Sequence, residues 1–190
     1  NIDTLPFSRK ISITKIEQDP AFDYLNFSKS ILTSTSTDRE LLELRNLDKY
    51  ISGRDRVLFV NLRPLWSAYI SEDEGSSAEE VDLMVSEKIS SIINSLPNEW
   101  AVVFCPFNPD TYGFSDFSSF SGVIQKLNTS RDYYVIEYEP GISFMLKLLS
   151  RCTHLLAMRF HACIFGLANN INVYGLDYQI GGTGKVANLF

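Results

Sequence analysis

Three side chains in this sequence have the chemistry to hold a small anion: Arg63, Arg159 and His161. An arginine presents a planar fork that meets a phosphate or carboxylate with two hydrogen bonds. A histidine beside it can donate to the same anion or move a proton near neutral pH. Each of the three follows an apolar run: Arg63 comes after residues 57–62, and Arg159 and His161 come after residues 154–158. Carboxylates stand in comparable places, with Asp110, Glu137 and Glu139 after two further runs. One of these can act as a general acid or base. The plainer alternative is that a carboxylate pairs with each arginine and that the histidine caps a helix. The other histidine, His154, opens its apolar run and reads as structural or surface-lying.

Two further features invite a chemical reading and fail it. Gly181-Gly182-Thr183-Gly184-Lys185 suggests a phosphate loop, but that motif needs glycine where Gln179 stands and Ser or Thr where Val186 stands. Lys185 can cover a ligand as part of a lid, not as a nucleotide cradle. Cys105, Cys152 and Cys163 each lie in an apolar stretch, no CxxC occurs, and the chain has 2 histidines, so a structural zinc site is excluded and three buried thiols are expected.

The runs that carry these residues are short and rich in β-branched and aromatic side chains. Residues 11–16 alternate with period two, whereas 57–62, 101–105, 133–136, 154–158 and 171–174 are continuously apolar, as strands buried on both faces are. Helical patterns separate them. Thr37 with Glu40, and Ser76 or Ser77 with Glu79 or Glu80, have capping-box spacing. Leu41, Leu44 and Leu47 follow the first start; Val81, Val85, Ile89, Ile92 and Leu96 follow the second, with Pro97 at its end. Phe117, Phe120, Val123, Ile124 and Leu127 mark a third helix, and Ile142, Met145, Leu148 and Leu149 a fourth. Residues 162–168 are apolar all round, so that helix should be buried. Strands alternating with helices imply an α/β fold: a Rossmann-like parallel sheet with helices on both faces. Ligands of such sheets bind outside the carboxyl ends of the strands, where Arg63, Asn108, Arg159, His161 and Tyr178 fall.

Composition sets the outer bounds. With 45% hydrophobic residues, the 190-residue chain can bury a core, which excludes wholesale disorder. The net charge of −6 argues against general nucleic-acid binding. No apolar run reaches the roughly 18 residues of a membrane span. The acidic stretch at residues 71–77 reads as a solvated loop, and the sequons at Asn26 and Asn128 carry little weight.

One resemblance makes these expectations more specific. The run Leu155-Leu156-Ala157-Met158-Arg159-Phe160-His161-Ala162, its apolar helix, and the following Asn172-Val173-Tyr174-Gly175-Leu176-Asp177-Tyr178 resemble the signature of polysaccharide pyruvyltransferases. Asp19-Pro20-Ala21-Phe22, Val60-Asn61-Leu62-Arg63-Pro64 and the turn from Pro106 to Asp110 resemble further pieces of that family, so the likeness spans roughly residues 11–190. It implies one half of a GT-B-like two-domain architecture, with residues 1–22 ending a preceding domain or linker. Residues 23–190 would form a donor-binding domain incomplete at its C-terminus. The implied reaction moves the pyruvyl group of phosphoenolpyruvate onto two hydroxyls of one sugar in a cell-surface polysaccharide, forming a cyclic ketal and releasing phosphate. The implied catalytic residues are Arg159 and His161. The implied substrate contacts are Arg63, Asn108, Arg159, His161, Tyr178 and Lys185. No metal or organic cofactor is implied beyond phosphoenolpyruvate as donor substrate. The partners would be that donor, a sugar or glycan acceptor and the preceding domain of the same protein. The compartment would be the cytoplasm, or the Golgi lumen for a fungal chain. Two rivals remain: a GT-B glycosyltransferase using a nucleotide sugar, and a non-catalytic Rossmann-like interaction domain.

Overall fold

Short β-branched and aromatic runs become the strands of one parallel sheet. The computed structural model of the chain describes residues 36–64, 77–108, 115–137, 141–178 and 184–190. The elements in order are α1 (Asp38–Ile51), β1 (Arg56–Asn61), α2 (Ala78–Ser95), β2 (Trp100–Phe104), α3 (Asp116–Ile124), β3 (Tyr134–Val135), α4 (Ile142–Leu149), β4 (His154–Ala157), α5 (Phe160–Ala168) and β5 (Asn172–Gly175), with a 3₁₀ turn at Ala187–Leu189. The expected strand at residues 11–16 and the Asp19-Pro20-Ala21-Phe22 link lie outside the described residues.

The strand order is β3-β2-β1-β4-β5, with all four pairings parallel. The chain winds outward from β1 to β3, then crosses back to place β4 on the other side of β1. That reversal puts a crevice at the carboxyl ends of β1 and β4. Reversing direction with right-handed crossovers also puts the helices on opposite faces. Val57 and Phe59 of β1, Ala101 and Val103 of β2, and Leu155 and Ala157 of β4 pack with residues of α1, α4 and α5. The alternate residues Leu58 and Val60, Val102 and Phe104, and Leu156 pack with α2 and α3. Period-two alternation thus divides the interior into two apolar layers, and the α/β expectation stands.

Local signals placed the helix starts. Thr37 accepts the Glu40 N–H while the Glu40 carboxylate accepts the Thr37 N–H, and Ser77 and Glu80 repeat the arrangement. In α2 the buried positions are Ser86, Ile89, Ser90 and Ile93, so the inward stripe is rotated from the one that includes Ile92. The reason is α3: a Cβ on Gly122 would lie 2.9 Å from Ser86 Oγ. Two small residues let these helices approach closely, and that contact sets the rotation of α2. In α5, Ala162, Cys163, Ile164, Phe165 and Gly166 are all buried, as its uniformly apolar sequence requires. His154 is buried at the amino end of β4, its ring 4.7 Å from that of Trp100 and stacked on Tyr174 at 6.3 Å. The structural reading of this histidine therefore holds.

All three cysteines are free and buried. Burial pushes the Cys105 thiol well up and raises Cys152 and Cys163 from 9.0 to about 12. A raised thiol pKa means that the unfolded chain loses its proton first. The unfolded state then binds fewer protons than the fold, so stability falls as pH rises from 9.0 towards about 12. The slope should approach about 1.4 kcal/mol per pH unit for each such thiol. Urea midpoints measured across that window check this, and a midpoint independent of pH there would contradict the burial of these thiols.

Candidate active site

The carboxyl edge of the sheet gathers five of the six residues expected to contact substrate, and two interlocking bridges tie that edge together. Arg63 leaves the end of β1 and Tyr178 leaves the end of β5, two strands away. Arg63 Nη1 donates to the Tyr178 hydroxyl at 2.8 Å, and the guanidinium lies over the Tyr178 ring at 4.5 Å from its centre. Ring and hydroxyl together orient the cation above the intervening β4.

Arg159 stands between β4 and α5 as the N-cap residue of α5. It reaches the opposite way, across β1, to Asp116 at the start of α3. Nε donates to Asp116 Oδ2 at 3.0 Å and Nη2 donates to Oδ1, a two-pronged ion pair. The Asp116 carboxylate is fully buried and also accepts the main-chain N–H of Phe107 at 2.9 Å and of Asn108 at 3.1 Å. A sealed carboxylate is tolerable because charge and hydrogen bonds compensate its lost water. The pairing carboxylate is therefore Asp116, which sequence reasoning passed over. Glu137 is exposed, and Asp110 and Glu139 lie outside the described residues. The available signal was local, an acid directly after the N-cap Ser115, but nothing local links it to Arg159.

Helix α5 begins with no side-chain cap on its first N–H groups. His161, its second residue, is exposed, touches the Phe160 ring edge-on at 5.7 Å, and makes no hydrogen bond among the described residues. An open helix start with a positive end, an arginine and a free imidazole favours an anion. Asn108 is half-buried at the β2 end of the same edge.

Lys185 is exposed, but the residues on both sides of it are anchored. Gly184 donates its N–H to Asp177 Oδ2 at 3.0 Å, and Val186 is buried in the apolar layer of α1, α4 and α5. The glycines at 181 and 182 lie outside the described residues. Asn61, missed because it ends an apolar run, is buried at the end of β1. It ties β1 to β2 by donating from Nδ2 to the Cys105 carbonyl at 3.0 Å.

The order of these pieces along the chain can be compared with known families. A family model described as Polysaccharide pyruvyl transferase matches residues 19–180. The chain belongs to the polysaccharide pyruvyl transferase family. No curated protein and no solved structure matches it. Membership of the polysaccharide pyruvyl transferase family makes this a transferase of pyruvyl groups to polysaccharide. The match takes in every residue of the two bridges: Arg63, Asp116, Arg159 and Tyr178. Lys185 lies beyond it. Among the described residues, no helix is long and apolar enough to cross a membrane.

Proposed function

We propose that this domain binds phosphoenolpyruvate and presents it to a saccharide, whose two hydroxyls capture the pyruvyl carbon as a cyclic ketal. One observation carries the reading: Arg63 and Arg159 leave the carboxyl ends of two directly paired strands, at the point where strand order reverses, beside the uncapped start of α5. Phosphoenolpyruvate carries a phosphate and a carboxylate on the same carbon, and two oriented guanidinium groups plus a helix start suit such a double anion.

In the reaction the methylene carbon gains a proton and becomes a methyl group. One sugar oxygen bonds to the central carbon, the bond from that carbon to the phosphate oxygen breaks, and the second sugar oxygen replaces the phosphate. Of the two hydroxyl protons, one balances the proton taken by the methylene carbon and the other leaves with phosphate. In this reading His161 holds phosphate or delivers the proton. Lys185 and Asn108 complete the donor's surroundings, and Tyr178 acts by orienting Arg63. The acceptor face belongs to the other half of a GT-B-like pair, a reading supported by the doubly wound strand order.

Titration calorimetry with phosphoenolpyruvate tests the proposal. Arg63→Ala and His161→Ala should each weaken binding by about 10-fold or more, the loss of one charged hydrogen bond. Tighter binding of a nucleoside diphosphate sugar than of phosphoenolpyruvate would overturn it in favour of glycosyl transfer, and absence of either response would make the domain a non-catalytic one.

A further inference from the structure

Asp116 brings a negative charge to an edge that the donor reading assigns to an anion. On charge alone it opposes binding there, so its presence calls for a geometric reason. Its carboxylate is sealed from water and collects donors from two other segments, the main chain after β2 and the guanidinium after β4. The guanidinium meets it through the Nε–Nη2 edge. An arginine has a second two-pronged edge, formed by Nη1 and the remaining Nη2 hydrogen. Engaging the first edge fixes where the second one lies. The same carboxylate also fixes the Phe107–Asn108 main chain relative to Arg159.

We propose that Asp116 is a positioning residue for pyruvyl transfer: it holds Arg159 edge-on, so that the outer edge of the guanidinium is the one offered to the donor anion. The inference rests on the donor reading of Arg159. It assigns Asp116 no contact with substrate. Asp116 lowers the net charge at the edge and supplies orientation in return, which limits the reorganisation needed when the anion arrives.

Binding of phosphoenolpyruvate by the full chain, followed by calorimetry with circular dichroism as the check on folding, separates orientation from charge. Asp116→Asn makes the edge one unit more positive, so a purely electrostatic role predicts tighter binding. The positioning role predicts binding weakened by about 10-fold or more. Arg159→Lys keeps the charge but loses the fork, and should weaken binding by a similar factor. If Asp116→Asn fails to fold, Arg159→Ala decides the matter with Asp116 intact: added methylguanidinium should restore binding, and methylammonium should not. Asp116→Asn binding as tightly as the parent, Arg159→Lys binding normally, or equal rescue by the two cations would each overturn the inference while leaving the donor reading in place. A parent protein that does not bind phosphoenolpyruvate would remove both.

Discussion

Arg159→Ala is expected to lose stability and donor affinity together, whereas His161→Ala loses only affinity. Removing the guanidinium leaves the Asp116 carboxylate, which has no exposed surface, with two main-chain N–H partners among the described residues. Breaking a buried ion pair from one side costs about 3–5 kcal/mol. The lower end applies here, because 21% of the Arg159 side chain is exposed. His161 is exposed and unbonded among the described residues, so its removal should change stability by no more than about 0.5 kcal/mol. For binding, loss of a hydrogen bond to a charged group costs about 1.5–3 kcal/mol, roughly 10- to 150-fold in affinity. Urea denaturation and calorimetry on the two variants give all four values. An Arg159→Ala protein as stable as its parent would show that the pair with Asp116 does not support the fold.

Gly184→Ala should loosen the segment that carries Lys185. A Cβ at this position would lie 2.6 Å from the Asp177 carboxyl carbon and still closer to Oδ1. That carboxylate has little room to retreat, since Oδ1 is itself buried and Oδ2 holds the Gly184 N–H. Forcing an extra methyl into such a contact costs about 1–3 kcal/mol. The consequence reaches the site by two routes. Lys185 loses the anchor on one side, and Asp177 adjoins Tyr178, whose hydroxyl and ring hold Arg63. Reduced hydrogen-exchange protection at Asn188, whose N–H donates to the Gly184 carbonyl at 3.0 Å, should accompany weaker phosphoenolpyruvate binding. Unchanged protection together with unchanged affinity would show that the Asp177–Gly184 contact holds nothing in place.

The sequence by itself determined most of the elements, because each depends on neighbours in the chain. Continuous burial along residues 57–62 follows from an apolar run in a strand covered on both faces, and the starts of α1 and α2 follow from capping boxes closed over three residues. Apolar surroundings of Cys105, Cys152 and Cys163 were enough to foretell buried thiols. Placing Arg63, Arg159 and His161 at strand ends needed only the order of runs. The rotation of α2 was not legible, since Ser86 and Gly122 meet only when α2 packs on α3. Nor was the partner of either arginine. Arg159 pairs with an acid 43 residues earlier, and Arg63 rests on a tyrosine 115 residues later. Those distances are bridged only by the strand order β3-β2-β1-β4-β5. Local propensity makes a strand but does not choose its neighbour in the sheet. That choice is made by burying two apolar layers at once, and it alone decided which carboxylate stands behind Arg159 and which ring stands under Arg63.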